Sequence, residues 1–263
     1  MDVEKKMPES FYKYRSIDGS KEFGEDYSID ALINNKMVFS SRTNFNDPFD
    51  SKINIVSPTP KELKDFTTGL SGKQYKHFRM WFSKGEFTAL GKSSLQRYTR
   101  ELNEILDSYA FICLSPKPDS NLMWSHYANS HTGFCIEFDP GKIEAQKVTY
   151  SDNIASINLI DCLKVEELSD GVLIDKIRKA LFNKLVEWEY EEEYRLFATS
   201  NLARIKKGQK FELVSYSPDF VKSVIFGYRM DDKAKKYIME KMPKHVKFKQ
   251  AYPGESKILI RKY

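Results

Sequence analysis

No stretch of the chain comes near the roughly 20 consecutive apolar residues that a membrane-spanning helix requires. The first ten residues are charged and carry no apolar run, so no secretory leader is read there. Cysteine is scarce: Cys113, Cys135 and Cys162 are the only three, an odd number, and two of them sit in apolar runs. That is the pattern of reduced, buried thiols, and it points to the cytoplasm. CxxC and Cys/His spacings are absent, which argues against a structural zinc site. Only four histidines occur, and His126 and His131 stand five apart. That is not the four-residue spacing that puts two ligands on one helical face. No glycine-rich phosphate loop appears either, which argues against kinases, P-loop enzymes and Rossmann dehydrogenases. No metal site is expected.

What remains is a chain of 263 residues, 41% hydrophobic, with 18 Phe and 15 Tyr. This is enough apolar material for a sizeable core, and no low-complexity linker interrupts it. The net charge of +5 permits anionic ligands without demanding them. The reading is a single α+β domain over residues 1–263, with mixed and antiparallel sheets and flanking helices.

Phe11-Tyr12-Lys13-Tyr14-Arg15 predicts a short aromatic strand. A helix is expected from about Tyr27 to Asn35, with Ile29, Leu32 and Ile33 as its apolar stripe. Met37 to Ser41 reads as a second strand running into the turn Asn44 to Asp50. Residues 58–110 read as a charged helical insertion or lid, best defined from Ser93 to Ser108. Ala110 to Ser115 is a buried strand, Asn121 to Asn129 a short helix, and Phe134 to Phe138 another strand. Further on, a helix is expected from Val172 to Leu185, then strands from Trp188 to Ala198 and Ser223 to Phe226. A helix from Asp231 to Lys241 and strands at Val246–Phe248 and Ile258–Ile260 close the chain. Short strands with helices inserted between them favour α+β over a doubly wound sheet.

The densest chemistry lies in Glu187-Trp188-Glu189-Tyr190-Glu191-Glu192-Glu193-Tyr194-Arg195. With a period of two, the aromatic residues take one face and Glu187, Glu189, Glu191, Glu193 and Arg195 the other. A solvated edge strand would show the same pattern, and a helix would pair Glu191 with Arg195. Two glutamates at i and i+2 on a strand lining a cleft can divide labour. One stabilises an oxocarbenium-like transition state while the other orients or deprotonates an acceptor. Arg15, beside aromatic rings, suits a phosphate or a base, though a surface ion pair with Asp47 or Asp50 would use it equally. Asn46-Asp47-Pro48 is foremost a turn. Ser115 either binds a ligand or caps the next element.

Tyr12 to Arg15, Asn46 to Asp50, Met123-Trp124-Ser125-His126-Tyr127-Ala128 with His131, Gly133 and Phe138, and Trp188 with Glu191, Glu193 and Arg195 form an ordered set of motifs. Together with Ile225-Phe226-Gly227, they resemble a bacterial family known only as domain of unknown function 2971. More distantly, the order of elements resembles the ADP-ribosyltransferase fold. That likeness implies NAD as substrate, with Arg15 on the dinucleotide, Ser115 supporting the nicotinamide half, Glu193 on the nicotinamide ribose and Glu191 placing the acceptor. Tyr12, Trp124, Tyr127 and His131 would line the NAD pocket. Ser115 is followed by Pro116, a departure from that superfamily's Thr-like partner. The resemblance implies a toxin or phage-defence effector with an RNA, DNA or protein acceptor, and leaves room for an antitoxin or other partner protein. Two other readings stand beside it. One is a nuclease holding a divalent ion with Asp47, Asp50 and the glutamates. The other is a non-enzymatic module that senses a nucleotide or a partner protein.

Overall fold

The computed structural model describes residues 7–163, 171–197, 209 and 211–263. The chain is of the α+β class and divides into two compact units. The first is built from Met1–Ser41, Ala110–Val148 and Glu187–Tyr263, the second from Arg42–Tyr109 and Thr149–Val186. The segment read as an insertion, 58–110, falls almost wholly in the second unit, together with residues that follow much later in the chain.

In the first unit, β1 (Phe11–Arg15) is followed by α1 (Tyr27–Ile33) and β2 (Lys36–Ser41). Helix α1 starts where Asp26 accepts hydrogen bonds from the backbone N–H groups of Ser28 and Ile29, both at 2.9 Å. It ends at Asn34, and Asn35 then adopts φ 51°. Strand β3 (Ala110–Leu114), α2 (Asn121–Tyr127), β4 (Phe134–Phe138) and β5 (Gln146–Lys147) follow. The last part of the unit holds β6 (Tyr194–Phe197), β7 (Phe211–Ser215), β8 (Val221–Phe226), α3 (Asp232–Lys241), β9 (Lys247–Pro253) and β10 (Ile258–Lys262).

These strands form two five-stranded sheets, ordered β1-β4-β8-β9-β10 and β7-β2-β3-β6-β5. An antiparallel bridge between Tyr12 and Ser115 joins β1 to the end of β3. Strand β4 is buried at all five positions because both of its faces are covered. Phe134, Ile136 and Phe138 face the larger core, with Phe11, Leu32, Phe39, Ile112, Val224, Phe226 and Ile238. Cys135 turns to the other face, where α2 lays Met123 and Trp124 over Tyr14, Ile225 and Ala251. Trp124 is fully buried, and truncating such a residue to Ala costs about 3–5 kcal/mol.

The second unit contains helices Pro60–Thr68, Gly72–Arg79 and Ala89–Ser108. The first opens with a capping box between Thr59 and Glu62. Trp81 and Leu106 are fully buried there. Strand Ile53–Val56, which sequence reasoning did not anticipate, pairs in parallel with Ala155–Asn158.

Two expectations need correction. The helix expected from Val172 to Leu185 stops at Leu181, and Asn183–Leu185 instead pairs in parallel with Thr149–Ser151. The strand expected from Trp188 to Ala198 is a 3-10 turn over Val186–Glu191 followed by β6, with Ala198 outside the described residues. Glu192 sits between them at φ 46°. A single extended strand would have aligned a row of glutamates, whose mutual repulsion the turn removes.

Candidate functional site

Helix α2 and the turn after it form one corner of the first unit. Asn129, Ser130 and His131 have φ of 46°, 52° and 69°, three successive left-handed residues of which none is glycine. Such conformations cost about 1–2 kcal/mol per residue and persist only where the surroundings fix them. Here the fixing is done by the backbone. Ser130 N–H donates to Ser125 O, His131 N–H to Trp124 O and Gly133 N–H to Ala128 O. The His131 carbonyl is roofed by Gly227, where an added Cβ would stand 2.1 Å from that oxygen.

His131 itself is 6% exposed, and its ring lies parallel to Trp124 at 6.1 Å and against Tyr228 at 4.8 Å. Nε2 is 3.5 Å from Ser125 Oγ, while Nδ1 is buried without a hydrogen-bond partner among the described residues. Burial, with nearby Arg229 adding to it, lowers the His131 pKa and keeps the ring neutral at pH 7. Trp124 donates through Nε1 to Pro118 O at 2.8 Å and meets Tyr14 edge-on at 5.1 Å.

Across from this corner, the 3-10 turn ends at Glu191, which is 3% exposed. Tyr127 donates its phenolic hydrogen to Glu191 Oε1 at 2.6 Å. Ser115 Oγ donates to the Glu191 backbone carbonyl at 2.9 Å and accepts from Lys117 N–H at 3.2 Å. Ser115 also exchanges both backbone hydrogen bonds with Tyr12, at 2.7 and 2.9 Å. Four of the residues picked out from sequence, Tyr12, Ser115, Glu191 and Tyr127, are therefore joined in one hydrogen-bonded chain.

Glu193 and Arg195 make a separate arrangement. The two carboxylate oxygens take Arg195 Nε at 2.5 Å and an outer guanidinium nitrogen at 3.1 Å, a bidentate pair in which Glu193 is 2% exposed and Arg195 0%. The guanidinium also lies over the Phe111 ring at 4.8 Å. Glu187 and Glu189, by contrast, are exposed, so the row of five charged residues read from sequence is split.

Arg15 lies on the face of β1 that carries Phe11 and Lys13, opposite to Tyr12 and Tyr14. Its guanidinium stands 5.9 Å from the Tyr27 ring of α1. It is thus turned away from the α2 corner. The cation that the sequence reading passed over is Lys13, whose ammonium donates to Cys113 O at 2.9 Å. Burial lowers its pKa, while Glu193 and Glu191 pull in the opposite direction.

Glu137 was missed as well. Its carboxylate sits in an apolar strand and accepts hydrogen bonds from Ser10 Oγ at 2.8 Å, Lys249 Nζ at 2.6 Å, Tyr12 at 3.3 Å and Ser223 Oγ. Burial pushes its pKa up, but the bonds from Lys249, Ser223 and Ser10 outweigh that and bring it down to about 2. A lone acid in Phe-Cys-Ile-Glu-Phe was the available signal, since a buried carboxylate demands partners.

In the second unit, Asp50 forms a buried ion pair with Lys184 at 3.2 Å, and Asp47 Oδ1 accepts from Phe49 N–H at 2.8 Å in a turn. Among the described residues no group of three or more His, Cys, Asp or Glu side chains stands where it could hold a metal ion. None of their helices is long and apolar enough to cross a membrane.

The Tyr127–Glu191 bond ties the start of one segment to its end, and a family model matches that segment. Residues 123–196 match the family described as protein of unknown function DUF2971. No curated protein and no solved structure matches the chain. The DUF2971 segment runs from α2 to β6 and so includes Trp124, Tyr127, His131, Glu137, Glu191, Glu193 and Arg195. Tyr12, Arg15 and Ser115 lie outside it, so the match covers less of the chain than the motifs had suggested.

Proposed function

We propose that the first unit is an NAD-consuming enzyme of the ADP-ribosyl-transfer type, acting as a transferase or as an NAD glycohydrolase. The observation that carries this reading is the convergence on Glu191, whose carboxylate takes the Tyr127 hydroxyl and whose carbonyl takes the Ser115 hydroxyl. A buried carboxylate beside aromatic rings suits the loss of nicotinamide. Positive charge grows on the ribose as the glycosidic bond breaks, and an oriented anion stabilises that charge more in the transition state than in the ground state.

Glu191 is the better candidate for this role because Glu193 is bound on both oxygens by Arg195. Glu193 then holds Arg195 and the start of β6 in place. Lys13, rather than Arg15, is the β1 cation within electrostatic reach of both carboxylates. Tyr12, which is half-buried, supplies a ring surface, while Trp124 is fully buried and backs the site from the core. The setting that suits such chemistry is a bacterial toxin or defence effector with a macromolecular acceptor.

The test is release of nicotinamide from NAD by the purified protein, with and without cell RNA, DNA and protein as acceptors. Release should fall at least a hundredfold in Glu191→Gln and less in Ser115→Ala, with Arg15→Gln close to the parent. No release under any of these conditions retires the reading. Nucleic-acid cleavage that stops on adding a chelator would put a metal-dependent nuclease in its place.

A further inference from the structure

At one end of the β1-β4-β8-β9-β10 sheet, where β9 begins and β10 finishes, lies a cavity of about 600 Å³. Most of its lining is apolar, Ile225 and Phe248 included, and its polar rim comes from Tyr12, Lys247, Lys249, Arg261 and Lys262. The pairing explains why three lysines meet there. Tyr12 stands opposite Glu137, Glu137 opposite Ser223, and Ser223 opposite Lys247, which makes one row across four strands. Lys249 is two residues beyond Lys247 on the same face, about 7 Å away. Lys262 is its direct partner on β10.

Like charges placed directly across a strand pair destabilise a sheet. Glu137 relieves Lys249, which it contacts at 2.6 Å. Lys247 and Lys262 form no ion pair among the described residues. The cluster therefore holds more positive charge than its one buried carboxylate offsets. The volume is well within the range of small-molecule sites and exceeds what a single small anion fills.

We propose that this cavity binds a polyphosphate group, free or carried by a nucleotide, on Lys247, Lys249 and Lys262. Lysine ammonium groups serve as point charges for phosphate, and three lysines whose strand positions lie about 5–7 Å apart suit a chain of phosphates. Glu137 holds Lys249 in place from beneath, and the Tyr12 ring at the other end of the row offers a surface to a base. The site requires neither NAD nor glycosyl chemistry, and it stands if that reading falls.

Calorimetric titration of the full chain with tripolyphosphate, ATP and adenosine tests it. Both anions should bind and adenosine alone should not. ATP binding at least tenfold tighter than tripolyphosphate identifies a nucleotide as the source, and equal affinities identify the bare polyphosphate. Replacing both Lys247 and Lys262 by Gln should weaken each anion about tenfold or more. Lys236→Gln, on the surface of α3, should change nothing. Lys247→Arg combined with Lys262→Arg should keep binding, so that loss of charge is separated from loss of fold. Failure of both anions to bind, equal binding by the double Gln variant, or binding of single-stranded RNA alone would overturn the proposal.

Discussion

The Tyr127 hydroxyl and Glu191 Oε1 are 2.6 Å apart although 64 positions separate the two residues along the chain. One comes from a short helix and the other from the last residue of a 3-10 turn. Charged acceptors make hydrogen bonds worth about 1.5–3 kcal/mol, and Glu191 is buried, so this one carries weight in stability. Tyr127→Phe should lower unfolding free energy by about 1–3 kcal/mol, as read by urea denaturation. Glu191→Gln keeps an oxygen that can still accept and should cost less. If nicotinamide release is the activity, the order reverses there: Glu191→Gln should be the more damaging variant. Equal effects of the two on both readouts would leave Glu191 with a purely structural role.

Local pattern sufficed for much of the first unit. Phe11–Arg15, the helix from Tyr27 and the strand ending at Ser41 stood where alternation and the 3.6 period placed them. The 186–191 segment misled because alternating Glu and aromatic residues imitate a strand at a distance of two. What stops a strand there is Glu192 in a left-handed conformation, which the alternation does not encode. Which of Arg15 and Lys13 comes within electrostatic reach of Glu191 and Glu193 depends on what lies across from each along one face of β1. That is tertiary information, since Lys13 and Arg15 share a face and differ only in what lies across from them. Glu137 was hidden for a similar reason: its partners Ser10, Tyr12, Ser223 and Lys249 come from segments far apart in the chain.

The Glu137 carboxyl titrates near 2 when folded, against an ordinary value of 4.5. A depressed pKa contributes stability that is fully present above the unfolded value and lost as pH falls through the folded one. The window is therefore about pH 4.5 down to about 2. The contribution is on the order of 3 kcal/mol at neutral pH. Urea midpoints measured from pH 7 to pH 2.5 should drop steeply below pH 4.5 in the parent and more gently in Glu137→Gln. Parallel curves would show that Glu137 is not the titrating group.

Gly227 bears on the left-handed turn at 129–131. A methyl group there would stand 2.1 Å from the His131 carbonyl oxygen and 2.8 Å from the Gly133 oxygen. Both are backbone atoms, so no rotamer change relieves the clash. Gly227→Ala should cost about 3 kcal/mol or more by thermal or chemical unfolding. It should also disturb the stacking of His131 on Trp124, visible as a shift in tryptophan fluorescence. Gly19, which has nothing within 4 Å of an added Cβ, is the matched control and should accept Ala with little change.

The Glu193–Arg195 pair tests whether a buried charge is held for function or for fold. Breaking one side leaves the other charge uncompensated in a site that is 2% exposed, at a cost of about 3–5 kcal/mol. Arg195→Met should do this, and the Phe111 ring would lose its cation as well. Replacing both members with apolar residues of similar size, Glu193→Leu with Arg195→Met, should recover much of that loss, because neither charge then remains to be desolvated. The recovered protein separates two roles. If the pair only positions β6 and the turn beside it, the double variant should keep Glu191-dependent activity within about tenfold of the parent once the fold is restored. If Glu193 acts on substrate directly, the double variant should be as stable as before and at least a thousandfold less active, and the assignment of chemistry to Glu191 would have to be given up.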